Sequence, residues 1–580
     1  MVTNIYAYNS STSAYDAIKQ VAWSNNGTNI RSYSGYATSR NGYSYIGDTI
    51  DALPVVGSIS FPDILKTVII TSGSILQADQ SDYNIQNYVY SGYAGDRYFK
   101  AGNSTIIYGN NNSVAVYKSG NTLSAYNISS FSADFSASST GSGSIPELEY
   151  VISVSPVVEY SGSNGYEIVH AGIDTYKTIN ISGGVSLSAT IPSGANGIKW
   201  TASYGPGNVA YDQGTISGTP GTVVVSADSI SKDKLYEYSY DVEYIHLNSL
   251  YNPYACMHGN RTWVISNNSV YKSNKGSGRY AVFINDPMKV NSNYDINTLF
   301  SCGNKLIASS SSKVSGEIWE LDPDLDGAPS LLTSQYGIIS SNIASYNNRW
   351  YFMTSDGIAY YDSNGIHIVQ TKTPWVNEKL LDFIDISNKI HVYIYNDINY
   401  NKHVMIASNG VSRIVYSIDD GDVYYDIVPG NHYMINYDRS NISYAGYMIY
   451  SNNEESSDDG SGILSTYIVN GVSDFEDNPA ANYKLKKIAI NVWSTENPSS
   501  TVNVSINYRE WDSGTNQLSI LKTGSYTFSI APYNGFITRE YVVDDASSIK
   551  LSNSLDMNVS FPNSYGKKIK SISLYFERVS

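Results

Sequence analysis

The chain has 580 residues, of which only 15% are charged, and 54 of them are tyrosine. Its formal net charge is −16, which argues against a clamp on duplex DNA, since sequence-independent duplex binding needs a Lys/Arg face. With two cysteines, Cys256 and Cys302, a disulfide scaffold is excluded and a Cys-based zinc site nearly so.

Taken in chain order, the N-terminus has no basic segment leading into an apolar one, so no standard signal peptide is expected. The stretch from Ser13 to Trp23, with Ala14, Ile18 and Val21 on one side, predicts a short helix. The remainder of residues 1–100 is β-rich without a clear repeat and reads as part of a propeller or a docking platform. Beyond it come short β-branched and aromatic runs separated by Asn-Gly, Ser-Gly and Asp-Gly pairs, the pattern of an all-β chain. No apolar run approaches the length of a membrane-spanning helix.

One repeat organises the centre. An Asn-containing turn launches an apolar strand at Asn260, Asn304, Asn348, Asn388 and Asn431, at spacings of 44, 44, 40 and 43 residues. A period of about 40–45 residues with several short strands per unit predicts β-propeller blades. A similar segment at Asn103 lies 157 residues before Asn260, which leaves room for an inserted domain. The expected architecture is all-β: a propeller of about six blades, an inserted β-sandwich and a C-terminal β-sandwich. The boundaries read from the sequence are 1–100, 101–145 (first recognisable blade), 146–248 (insertion), 249–455 (blades) and 456–580 (terminal sandwich). The Gly/Ser-rich acidic stretch 452–462 reads as a mobile loop.

Chemistry is sparse. Asp322, Asp324 and Asp326 alternate before Gly327, as in the opening of a calcium loop, where oxygen ligands wrap a hard cation. The twelfth position is Thr333, so the bidentate acid is missing, and a solvated acidic turn accounts for the same residues. Calcium is the one cofactor the sequence offers. The seven histidines show no metal-binding spacing, and Cys256 and Cys302, 46 residues apart, read as equivalent core positions of successive blades. There is no nucleophile elbow and no phosphate-binding glycine motif. Glu147, Glu149, Asp382 and Asp385 supply no obvious catalytic pair, and 354–362 only faintly suggests the Asp-box hairpin of sialidases. The sequence therefore predicts a protein that is not an enzyme. Many tyrosines with few charges suit protein–protein interfaces, and also surfaces that stack on sugar rings.

Three segments carry a family resemblance. HGNRTWVISNNSVYKSNKGSGRYAVFINDP (258–287), LFSCGNKLIASSSSKVSGEIWELD (299–322) and GIISSNIASYNNRWYFMTSDGIAYYDSNGIHIV (337–369) resemble, in that order, blades of the tail nozzle (tail tubular) proteins of short-tailed viruses. The β-rich insertion before them and the strand-rich segment after them are similar too. The resemblance implies a structural virion protein in a ring of about six copies, assembled in the host cytoplasm into the tail. It would touch an adaptor and fibres or a plug. Its acidic lumen would conduct the viral DNA during ejection without specific binding. The low charge would also suit a virus of an acidophilic archaeon. The competing expectation is a virion or cell-surface adhesin that binds host glycans.

Overall fold

The computed structural model describes residues 2–9, 12–22, 27–33, 36–39, 42–45, 55–81, 84–101, 104–128, 133–162, 165–170, 175–204, 209–233, 235–236, 243–274, 280–310, 315–323, 328–370, 374–385, 389–397, 402–434, 442–445, 448–455, 457–458, 461–462, 465–472, 482–494, 500–512, 517–530, 533, 535–543, 548–550, 555–561 and 568–579. The fold is all-β and propeller-like: among the described residues, six four-stranded antiparallel meanders recur along the chain. The chain divides into two compact units, Gly47–Ile368 and the combination of Met1–Ile46 with Val369–Ser580.

The first unit holds five of the meanders, here blades 1 to 5. Blade 1 runs from Val55–Phe61 to Ile85–Ser91 and blade 2 from Arg97–Ala101 to Thr122–Asn127. Blade 3 runs from Tyr254–His258 to Met288–Lys289, blade 4 from Ile296–Cys302 to Ser330–Thr333, and blade 5 from Ala344–Tyr346 to Gly365–Ile368. Blade 1 falls in the region whose repeat is invisible in the sequence.

In blades 1, 3 and 4 the second strand begins with a basic residue and is then buried without alternation: Lys66–Thr71, Arg261–Ser266 and Lys305–Ser310 share one pattern. The cause is that a blade is covered on both faces by its neighbours, so the strand reads as a continuous apolar run. Val68 and Ile70 pack with Ile107 and Val114 between blades 1 and 2, and Ile106 packs with Val264 between blades 2 and 3. Ile265 with Leu306, and then Ile307 with Phe352, continue the series to blade 5. Each such side chain contributes about 1.5–3 kcal/mol of burial.

The Asn repeat has a backbone cause. His258 and Arg261 are joined by Gly259 (φ +56°) and Asn260 (φ +61°), and Tyr346 and Arg349 by Asn347 (φ +51°) and Asn348 (φ +58°). A two-residue type I′ hairpin needs left-handed φ at both positions, which Gly and Asn tolerate. In blade 4 Gly303 (φ +64°) and Asn304 form the equivalent two-residue turn between Cys302 and Lys305, with Gly303 alone left-handed. The period does not extend as read: Asn388 lies outside the described residues, and Asn431 is inside the strand Val423–Met434 rather than in a turn. Cys302 also corresponds in register to His258, not to Cys256, because Cys302 pairs with Lys305 as His258 pairs with Arg261.

A β-sandwich interrupts the blades between Phe135–Ser139 and Leu235–Tyr236. The three-stranded sheet of Phe135–Ser139, Val185–Ile191 and Gly221–Ala227 and a larger sheet centred on Ile145–Gly162 close over Tyr150, Ile152, Leu187 and Trp200. The Ser/Gly-rich stretch that begins at Ala137 is thus partly strand.

In the second unit, the sixth meander comprises His391–Asp397, Lys402–Ser408, Gly410–Ser417 and Val423–Met434. A terminal sandwich is built from both ends of the chain, because Val2–Asn9 runs parallel to Lys568–Val579. Its core joins Ile488, Ile490, Ile572 and Phe576 of one sheet to Val502, Val504, Phe528 and Val559 of the other. The helix expected over 13–23 is instead the strand Ala14–Ala22, paired antiparallel with Val2–Asn9. Helix propensity is a weak prior, and a ready strand partner outweighs it. The α-helix found among the described residues is Pro374–Asp385, which opens on proline, suited to a first helical position, and buries Phe383 and Ile384. In the acidic stretch read as a mobile loop, Met448–Glu455, Ser457–Asp458 and Ser461–Gly462 are strands.

Candidate functional site

In blades 1, 4 and 5 and in the sixth meander, the basic residue that opens the second strand meets an acid at or just beyond the end of the third, whereas Arg261 of blade 3 donates to the Ser273 carbonyl. Lys66 pairs with Asp79 at 2.7 Å, Lys305 with Asp322, Arg349 with Asp362 at 3.9 Å and, in the sixth meander, Lys402 with Asp420 at 2.8 Å. The Lys66 ammonium, helped by the Ser81 amide and hydroxyl, holds the Asp79 carboxyl far below the usual range. Asp322, the first residue of the expected calcium loop, is therefore already engaged by an ammonium. Asp324 and Asp326 lie outside the described residues. Among the described residues no group of three metal-ligating side chains forms.

Blades 4 and 5 bring together polar groups that the sequence did not single out. The Tyr361 hydroxyl donates to Glu320 Oε2 at 2.7 Å, and Lys305 lies 3.8 Å from Glu320 Oε1. Burial, and then the Glu320 bond, push the Tyr361 phenol far above its usual value. On the other face of blade 5, His367 Nε2 lies 3.0 Å from Asp362, and its ring stacks on Tyr360 at 4.9 Å. Burial alone would raise the Asp362 carboxyl, but the Asn364 amide, His367 and Arg349 outweigh it and hold it low. An Asp–His pair of this kind can pass a proton. His258 Nδ1 and Ser301 Oγ lie 2.8 Å apart where the first strands of blades 3 and 4 adjoin. Beside them, Cys256 and Cys302 are free thiols, both pushed up by burial, as inert structural cysteines are. Tyr98, on the first strand of blade 2, keeps 37% of its surface accessible, and burial raises its phenol.

The terminal sandwich offers an aromatic surface. In the sheet Ala14–Ala22, Val2–Asn9, Lys568–Val579, Asn482–Ser494, Gly535–Val542, one face is core and the other is aromatic and polar. Tyr6 stacks on Tyr575 at 4.8 Å, Tyr15 meets the same ring edge-on at 5.2 Å, and Lys487 sits 4.4 Å above it. Trp493 meets Phe536 at 5.3 Å, with the Lys568 and Lys570 ammonium groups near the two rings. Gln20 bonded to Asn4, Asn491 bonded to Thr538 and Lys487 paired with Glu540 fill the face between them. Strand alternation produces this surface, but the partner strands come from opposite ends of the chain, so no local motif announces it.

No family model matches the chain, and no curated protein matches it. Among solved structures it is similar to AztD from Citrobacter koseri, at 10% identity over 72% of this chain and 90% of that one, with a TM-score of 0.31. It is also similar to the extracellular domain of a one-component system from B. thetaiotaomicron, at 10% identity over 99% of each chain and a TM-score of 0.25. An exo-β-1,3-galactanase from Phanerochaete chrysosporium matches at 11% identity over 72% of this chain and 99% of that one, with a TM-score of 0.21. Likenesses of this size transfer no activity. The expectation of a non-enzyme is nevertheless corrected: enzymes stand among the matched structures, so the architecture gives no ground for excluding catalysis. No helix among the described residues is long and apolar enough to cross a membrane.

Proposed function

We propose that the chain is a ring-forming virion component of the tail-nozzle type. The observation that carries this reading is the order of modules: two blades, an inserted β-sandwich, three further blades, a sixth meander and a terminal sandwich. That is the order the resemblance of residues 258–369 implies. The surface supports it as well. Tyr88, Tyr93, Tyr176 and Tyr251 are exposed in a chain poor in charge, and tyrosine is enriched where proteins meet while lysine and glutamate are depleted. Self-association through one repeated contact closes into a ring when the rotation per copy permits. The net charge of −16 keeps DNA from adhering to such a conduit. Mass photometry of the full chain across a concentration series tests this. The reading expects a discrete closed species of about six copies, and a monomer throughout, or open polymers of indefinite length, would overturn it.

One observation favours a second reading, a glycan-binding adhesin. The outward face with Tyr6, Tyr575 and Trp493 presents rings flanked by amide and hydroxyl groups, the combination that stacks on and hydrogen-bonds to sugars. Glycan-array binding by the wild type that Trp493→Ala and Tyr575→Ala abolish would establish it, and an array without binders would remove it.

A further inference from the structure

The sixth meander carries a polar row, buried at Ser408, Arg413 and Asp426 and half-buried at His391, that neither reading explains. His391 lies opposite Ser408, Ser408 opposite Arg413, and Arg413 opposite Asp426, so the four side chains share one face of the sheet. The adjoining row on that face is the small core of Tyr393, Ile406, Val415 and Tyr424. Arg31, from the strand Ile30–Tyr33, closes over this face. It donates from Nη1 to Asp426 Oδ1 at 2.8 Å and from Nη2 to Oδ2 at 2.7 Å, with its guanidinium 5.3 Å from the centre of the Tyr424 ring.

Arg31 thus bonds both oxygens of Asp426. Arg413 is left with 6% of its surface accessible, and its Nε and Nη2 form no hydrogen bond. A guanidinium cannot shed its proton in a protein, so the charge persists. Burial pushes His391 down to about 4, so it is neutral near pH 7 and adds no charge. Two guanidinium groups therefore face one carboxylate, and one buried positive charge has no partner, which a stable interior does not tolerate. The two unpartnered nitrogens matter by their identity. Nε–H and Nη2–H point the same way from the edge of the guanidinium plane, forming the fork that receives two oxygens of one anion side by side.

We propose that Arg413 anchors a buried site for one small oxyanion, a carboxylate or a tetrahedral phosphate or sulfate, held across its Nε and Nη2. Arg31 and Asp426 position the fork's surroundings, and the compensated pair leaves one positive charge for the guest. Chloride offers a charge but not two oxygens.

Equilibrium dialysis of the full chain with radiolabelled inorganic phosphate tests this, with sulfate, formate and chloride as competitors at equal ionic strength. The expected result is saturable binding of one phosphate per chain, displaced by sulfate or formate and not by chloride. Displacement by formate at lower concentration than by sulfate would assign the site to carboxylates, and the reverse order to tetrahedral anions. Arg413→Met should weaken binding at least tenfold while melting no lower than the wild type in anion-free buffer, because it removes an uncompensated charge. Arg413→Lys keeps the charge but loses the fork, and should also weaken phosphate at least tenfold. Absence of saturable binding to the wild type would overturn the proposal. So would phosphate affinity unchanged in Arg413→Lys, a comparison that holds even where Arg413→Met does not fold.

Discussion

Asp426→Asn is the most informative stability variant, because one carboxylate compensates a buried guanidinium and lies opposite another. Arg31 and Asp426 keep only 4% and 2% of their side-chain surface accessible, and they share two hydrogen bonds of 2.7–2.8 Å. Breaking a buried pair by removing one partner costs about 3–5 kcal/mol, since the surviving charge is stranded. Asp426→Asn strands Arg31 in addition to Arg413 and belongs at the top of that range. Arg31→Met should cost less, because the freed carboxylate is already opposite Arg413 in register. In a unit of this size, 1 kcal/mol moves the melting temperature by about 2–4 °C. Differential scanning calorimetry should then show a drop of roughly 10–20 °C in one transition for Asp426→Asn and a smaller drop for Arg31→Met. Added salt should leave both shifts unchanged, as buried charges are poorly screened. An Asp426→Asn transition within about 2 °C of the wild type would refute the reasoning, as would Arg31→Met being the more damaging change.

Acid should erode the Lys66–Asp79 pair. The folded carboxyl titrates below its unfolded value, so its stabilisation is present above about pH 4 and is lost as pH falls further. For a partly exposed pair the loss is about 1 kcal/mol, and Asp79→Asn should abolish that part of the pH dependence in urea melts at pH 2–5. His246 is fully buried and pushed down to about 4 by burial, and its Nδ1 accepts the Asn248 amide. The unfolded chain binds its proton first, so stability should rise with pH between about 4 and 6.5, by roughly 3 kcal/mol, and His246→Asn should flatten that slope. Gly95→Ala should cost about 3 kcal/mol or more in thermal melts, because φ is +136° and a Cβ there would lie 1.9 Å from the Tyr108 carbonyl carbon. Gly120→Ala, with φ +62° and open space around it, should cost only about 1 kcal/mol.

The fold was legible where local chemistry repeats. Hairpins that need left-handed φ mark themselves with Gly and Asn, so blades 3 to 5 can be counted from Asn260, Asn304 and Asn348. Blade 1 is hidden because Leu65 and Ser72–Gly73, rather than an Asn pair, turn its chain. The strand Ala14–Ala22 was misread because its partner is set by pairing with residues more than 500 positions away. Polar sites were the least legible. The Arg31–Asp426 pair joins positions 395 apart, and the Tyr6–Tyr575 stack joins the two ends of the chain. Asp322 was conspicuous as part of an acidic run, yet its neighbour in space is Lys305, which strand register alone supplies.

Cryo-electron microscopy of the purified full-length chain, at concentrations matching a virion assembly, tests the central claim most directly. The account predicts a closed ring of about six copies around a bore wide enough for a DNA duplex and lined by Asp and Glu. Isolated monomers, or a ring whose bore is lined by Lys and Arg, would contradict it.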